Sequence, residues 1–308
     1  MSERDREAKA ARGAVLAVRA ADRTGILVKG TERTSWLNGL VTCDLAKLGS
    51  ADGAYGLIVE KKGRIQTDFF AVPGREAAGT KDVLALGVPR DMRDAIIETL
   101  DHYLVMEDAE LEAADLDFWH LHGPRAKDVP SGLGAPYAGT LDLLGLGGAV
   151  VAAPAAEAEA FGERIAALVA DAGGAIADDA AWDAVRIERG VPRFGVEVDG
   201  TLYPQEASLE KLAVSFDKGC YLGQEVIYML ENRGHVKRKL VPLDVEGDTP
   251  LGKGDSVTTP EGAVVGDVKS SVVAPSSGKP VAIAMLKWAQ CKPGTELRVG
   301  DRVVRVRA

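Results

Sequence analysis

Lys218-Gly-Cys-Tyr-Leu-Gly-Gln-Glu225 places a thiol between a cation two residues upstream and an amide–carboxylate pair four and five residues downstream. The glycines at 219 and 223 let the backbone turn tightly and approach another surface closely. Lys218 can favour the thiolate of Cys220, which is the nucleophilic form. A cysteine taken at random is a small buried hydrophobe. The concentration of polar, turn-forming and reactive residue types here selects a functional thiol instead, with Cys220 and Lys218 as candidate catalytic residues.

A chain of 308 residues is too long for one ordinary core and suggests two or three domains. Its 46% hydrophobic content supplies enough apolar material for packed cores. No run of 18 apolar residues occurs, so no membrane-spanning helix is expected. The N-terminal Met1-Ser-Glu-Arg-Asp-Arg-Glu7 carries both charge signs and lacks an apolar stretch, so it does not read as a secretory signal, and a cytoplasmic protein is expected. A net charge of −9 argues against direct nucleic-acid binding over a large surface. Locally, Arg233, Lys237, Arg238 and Lys239 cluster after the octapeptide, either as a solvated loop or as a binder of a polyanionic tail. The cysteines Cys43, Cys220 and Cys291 are odd in number and widely separated, which supports neither a disulfide framework, a structural zinc nor a self-contained four-cysteine cluster. His120 and His122 alternate on an expected strand and share one face, but without a third donor they read as strand residues rather than metal ligands.

Outward from the motif, the pattern is α+β. Short strands are expected at Ala14–Arg19 and Ile26–Lys29. Thr31 can cap a helix with Glu32 in its first turn and Trp36, Leu37, Leu40 and Val41 on one face. Tyr55–Val59 and Ile65–Ala71 bracket Lys61-Lys-Gly63 as a hairpin. Pro89 opens a helix running to about Met106, with Met92, Ile96, Leu100, Tyr103 and Leu104 at three- and four-residue steps. A second unit begins near Ala109, with a strand at Leu116–Leu121 and a helix opened by Gly123-Pro124. Alanine-rich Ala152–Ala160 reads as a loop running into a helix marked by Phe161, Ile165, Leu168 and Val169. Asp178 or Asp179 caps a further helix carrying Trp182, Val185 and Arg186. After about Val236, β-branched segments at Leu240–Val245, Val264–Val268, Val281–Leu286 and Val303–Val306, separated by Gly, Pro and Ser, indicate a small β-barrel or sandwich. The expected units are 1–108, 109–235 and 236–308.

The octapeptide resembles the K-G-C-Y-x-G-Q-E motif of the YgfZ family, folate-binding relatives of the glycine-cleavage T-protein (aminomethyltransferase) that support iron–sulfur enzymes. Thr34–Asp44 resembles that family's W-L-x-G-x-x-T-x-D segment, and Trp182–Gly190 with Pro192 and Gly195 its R-I-E-x-G-x-P-x-x-G stretch. Gly63-Arg64-Ile65 with Asp68, Leu121–Ala126, Gly266–Ser270 and Ala282–Leu286 are also similar, so the resemblance covers nearly the whole chain. It implies two interleaved α/β units and a C-terminal small β-barrel around a central folate pocket. It also implies pterin contacts from Glu188, whose carboxylate can accept from a ring N–H and an amino group, and from Trp182, whose face can stack on the ring. Arg186, Gln224 and Glu225 are further candidate folate-binding residues, and Asn38 on the first helix could hydrogen-bond a ligand but reads first as a solvated helix residue.

Two positions depart from the family pattern. Asp68 matches one member of the T-protein Asp-Asp pair, but Thr67 stands where the other would be. Asp68 therefore reads either as a strand-end residue or as the carboxylate that manages protons in one-carbon transfer. Tyr228-Met229 stands where relatives carry Ala-Arg, removing a guanidinium able to grip a carboxylate or phosphate. The leading expectation is a tetrahydrofolate-binding auxiliary protein for assembly, repair or maintenance of iron–sulfur enzymes. Its partners would be those enzymes or cluster-assembly proteins, its effect on tRNA modification indirect, and Cys220 either a nucleophile or one ligand of a transiently shared cluster. The alternative is an aminomethyltransferase-like one-carbon transferase acting through Asp68.

Overall fold

A computed structural model describes residues 3–75 and 82–307; Met1 and Ser2, which open the charged N-terminal stretch, lie outside them. A helix α1 (Glu3–Gly13) leads into β1 (Leu16–Arg19) and β2 (Arg23–Lys29). Helix α2 is short, Arg33–Asn38. Thr31 does not cap it, because both its amide and its hydroxyl donate to Asp108 Oδ2, at 3.0 and 2.6 Å. Leu40 and Val41 are buried as expected, but in the turn beyond the helix. The hairpin of β3 (Ala54–Val59) and β4 (Ile65–Arg75) turns at Gly63, whose φ of +77° is readily adopted only by glycine.

After β5 (Asp82–Pro89), α3 covers only Arg93–Asp101, five residues short of the expected Met106. The apolar spacing continues through Tyr103 and Leu104, but there the chain makes tight turns, and the Tyr103 carbonyl accepts from Trp36 Nε1 at 3.1 Å. The next elements are β6 (Glu110–Ala114), β7 (Leu116–His122), the brief α4 (Val129–Leu133), β8 (Tyr137–Thr140) and β9 (Gly148–Pro154). Gly123-Pro124 opens, as expected, a short helical stretch: a 3₁₀ turn at Ala126–Asp128 that runs into α4. Strand β9 runs into the segment expected to be a loop, taking its first three residues, 152–154. It lies between β7 and β8 with both faces buried, so its small residues show no alternation to betray it.

Helix α5 (Ala158–Asp171) buries Phe161, Ile165 and Val169 at four-residue spacing. Strand β10 (Ala175–Ala177) precedes α6 (Asp179–Glu188), which is capped as expected by Asp178, its Oδ1 accepting from the Ala181 amide at 2.7 Å. The short helix α7 (Glu210–Ala213) and α8 (Gln224–Asn232) complete this part. The ten strands form one sheet, ordered β10-β1-β7-β9-β8-β4-β5-β2-β6 with β3 on β4. Residues on either side of position 108 pair directly, as β1 with β7 and β2 with β6, so the first two units are interleaved in one sheet.

The C-terminal part is a closed six-stranded barrel: β11 (Arg238–Val245), β12 (Ser256–Thr258), β13 (Val264–Val273), β14 (Pro280–Lys287), β15 (Glu296–Val299) and β16 (Arg302–Val306). Closure removes its free edges. One apolar cluster joins Tyr55, Leu57 and Val59 of β3 and Ile187 of α6 to Leu240, Ile283 and Met285 of the barrel, fixing the barrel against the sheet beside the hairpin. Among the described residues no helix is long and apolar enough to cross a membrane.

Candidate functional site

The expected site residues fall in two places. Asp68, Trp182 and Arg186 meet at a cavity of about 60 Å³ between the sheet and α6, with Arg23, Tyr55, Phe70, His120 and Arg193 also in its wall. Asp68 is buried and bonded on both oxygens. Arg23 grips it bidentately, Nη1 to Oδ1 at 2.7 Å and Nη2 to Oδ2 at 3.1 Å, and the Tyr55 hydroxyl donates to Oδ2 at 2.9 Å. Burial alone would lower the Arg23 pKa, but the Asp68 carboxylate outweighs it and holds the guanidinium above its usual value. Burial, then Asp68, raises Tyr55 well above an ordinary phenol.

Arg186 is 1% exposed and committed. Its Nε donates to Asp183 at 2.6 Å, and Nη1 and Nη2 reach the two oxygens of Glu197 at 2.9 and 3.1 Å. Arg193 donates to Asp22 at 2.8 Å. Burial pushes Asp22 up, yet Arg193 and Arg23 together hold its carboxyl below the usual range.

One wall is aromatic. His120 and His122 point to the same side of β7, and Trp182 lies parallel to His122 at 4.5 Å and 9°. His120 meets Phe70 edge-on at 4.7 Å. His120 Nδ1 and both ring nitrogens of His122 are buried without a hydrogen-bond partner. Burial, reinforced by Arg23, lowers His120 to about 3; burial, then His120, lowers His122 to about 3. Both imidazoles are neutral at pH 7.

Glu188 does not line this cavity. Its carboxylate accepts from Arg12 of α1 at 2.9 Å and from the Ser276 amide of the barrel at 3.3 Å, so it fastens α6 to two neighbours. Asn38, Gln224 and Glu225 are likewise outside it. Asn38 Oδ1 accepts from the Leu45 amide at 2.8 Å, shaping the turn after α2. Gln224 and Glu225 form the first turn of α8. Sequence reasoning missed Arg23, Tyr55 and Arg193. Only Tyr55 left a signal, because the hairpin register puts it opposite Phe70, two residues from Asp68.

The second place is the octapeptide. Cys220 is exposed, whereas Cys43 is buried and Cys291 half-buried. Burial pushes the Cys43 thiol up to about 12, with Lys218 opposing, and the Cys291 thiol up to about 11. The Lys218 ammonium, expected beside Cys220, turns the other way. It donates to the carbonyls of Asn38, Val41 and Cys43 at 2.7, 2.9 and 2.6 Å and lies 5.2 Å from the centre of the Tyr221 ring. Burial lowers its pKa to about 8, against the raising influence of Cys43 and Asp44. At the far end, Gly223 has φ +78°, and a Cβ there would meet the Glu60 carbonyl at 2.7 Å, so α8 starts against the β3–β4 hairpin with no room for a side chain. Among the described residues no group of three or more His, Cys, Asp or Glu is placed to hold a metal ion.

Residues 238–308 match the model of the glycine cleavage T-protein C-terminal barrel domain. The chain is 27% identical to the aminomethyltransferase of Herpetosiphon aurantiacus, over 91% of this chain and 81% of that one. It is also 27% identical to the tRNA-modifying protein YgfZ of Vibrio vulnificus, over 74% and 70%. The chain is thus similar both to aminomethyltransferases and to YgfZ-type proteins, and its C-terminal barrel to that of the glycine cleavage T-protein. An iron–sulfur cluster assembly factor of Neurospora crassa is 24% identical over 73% of this chain and 53% of its own. The fold matches the crystal structure of aminomethyltransferase T from Bartonella henselae, with a TM-score of 0.81 at 21% identity, covering 99% of this chain and 88% of that one.

Proposed function

We propose that this protein is a folate-binding auxiliary factor for assembly, repair or maintenance of iron–sulfur enzymes in the cytoplasm, with Cys220 as its working thiol. The contrast between Cys220 and Asp68 carries the reading: the thiol is exposed, and the carboxylate a transferase would need is clamped by Arg23 and Tyr55. Relatives named as YgfZ and as an iron–sulfur cluster assembly factor agree with it. Its partners are then iron–sulfur enzymes or cluster-assembly proteins, and any influence on tRNA modification is exerted through them. The cluster itself is cargo, with Cys220 either attacking as a nucleophile or lending one sulfur ligand.

The cavity beside α6 fits a reduced pterin in chemistry. It offers the aromatic faces of Trp182 and Phe70 and an unpartnered ring nitrogen, His120 Nδ1, beside paired charges. Trp182, Phe70 and His120 would hold the ring, in place of the Glu188 contact implied by family resemblance. Tetrahydrofolate bound there supplies a carrier for one-carbon units. The half-buried Trp182 forms the wall on the α6 side, where its indole can stack on the ring.

Calorimetry with tetrahydrofolate tests this. Trp182→Ala should weaken binding by roughly ten- to hundredfold, the equivalent of ~1–3 kcal/mol of stacking and burial. Cys220→Ser should bind as wild type. Absence of binding by the wild-type protein would remove folate from the proposal.

A further inference from the structure

We propose that Lys218 is a positioning residue: its ammonium locks the Cys220 loop onto the turn after α2 by spending all three protons on backbone carbonyls, rather than activating the thiol by charge. The inference rests on the reading of Cys220 as the working group, but its tests read the loop itself.

A lysine ammonium has three donors and no acceptor. All three are used, on Asn38, Val41 and Cys43. The Asn38 carbonyl closes α2 and has no helical partner of its own, as is usual for the last turn of a helix. The lacing continues on both sides of these bonds. The Leu222 amide donates to Gly39 O at 3.1 Å, and the Ser215 amide to Thr42 O at 2.9 Å. The carbonyls of residues 38, 39, 41, 42 and 43 therefore all accept from residues 215–222. The Thr42 hydroxyl returns the connection by donating to Ala213 O at 2.6 Å.

Downstream, Tyr221 is buried, and Gly223 interlocks with the hairpin through the Glu60 carbonyl. Only Gly219 and Cys220 remain exposed between these anchors, and a Cβ at Gly219 would meet nothing within 4 Å. The thiol thus stands on a short step fixed at both ends, with open space beside it. The other ionisable groups acting on Lys218 are Cys43 and Asp44, both on the turn it clamps. The octapeptide's lysine and second glycine are explained together: one pins the start of the step and the other its end.

Lys218→Arg and Lys218→Met separate positioning from activation. Arginine keeps the charge, but its planar fork cannot aim three protons at carbonyls gathered around one nitrogen. Positioning predicts that both variants raise amide exchange of Leu222 and of residues 39–45 by roughly tenfold or more, as expected for a lost charge-assisted bond. It also predicts that the pH midpoint of Cys220 alkylation stays where it is in wild type. Activation predicts wild-type behaviour for Lys218→Arg and a midpoint raised by about one unit or more in Lys218→Met alone; that result would overturn the proposal. Should neither variant fold, the wild-type protein still decides, because Leu222 and Ser215 amides exchanging at unprotected rates would show that the lacing does not hold.

Discussion

Around Asp68 the arginines are matched by carboxylates: Arg23 with Asp68, Arg186 with Glu197 and Asp183, Arg193 with Asp22. Around Cys220 the nearest cation in sequence is spent on backbone carbonyls, and the thiol faces solvent. The first region is built to stay as it is. Moving a proton onto Asp68 would break a bidentate bond and leave the buried Arg23 only the more distant Asp22, at 3.7 Å, which makes Asp68 a poor shuttle. The second region fixes the backbone and leaves the reactive atom free. A fold shared with an aminomethyltransferase thus clamps one carboxylate and leaves one thiol exposed.

The largest expected effect comes from breaking the matched region. Asp68→Asn leaves the buried Arg23 only the more distant Asp22 and should destabilise the protein by ~3 kcal/mol. Urea unfolding measures it, and a loss below ~1 kcal/mol would mean that Asp68 is not bound up as described. Next comes the end of the thiol's step. Gly223→Ala must place a Cβ in a left-handed conformation against the Glu60 carbonyl, for a loss of ~2–3 kcal/mol, with hydrogen exchange rising first in 218–225. A silent substitution there would contradict the pinned step.

Smaller again is the response to acid. His120 and His122 titrate near 3 in the folded state but near 6.5 when unfolded, so between those values the unfolded chain binds more protons and stability falls as pH falls. Their contribution is complete above pH 6.5, and at least ~2 kcal/mol should be lost by pH 4. His122→Phe should flatten this slope. An unchanged slope would show that the histidine–tryptophan stack is open to water.

The barrel, the hairpin, α5 and the Asp178 cap were legible because each depends on local chemistry: β-branched runs, a glycine turn, four-residue apolar spacing and a side-chain oxygen before a helix. The end of α3 and the strand β9 were not. Apolar periodicity runs past Asp101 although the backbone turns there, and a central strand of alanine and valine carries no alternating signal. At the site, spacing along the chain revealed the exposed Cys220 motif but misdirected Lys218, whose partners lie about 175–180 residues away. Glu188 was misplaced for the same reason, since its Arg12 and Ser276 partners come from α1 and the barrel. Arg23 had no local signal at all, because only the pairing of β2, β5 and β4 brings it to Asp68.

The most direct test of the display of Cys220 is activity of iron–sulfur enzymes in a host whose only copy of the protein carries Cys220→Ser, assayed under oxidative stress. The substitution keeps size and turn geometry while removing a soft, ionisable sulfur. The variant should fold, bind tetrahydrofolate as wild type does, and leave cluster-dependent activities as low as deletion of the protein does. Wild-type activities in that host would contradict the account.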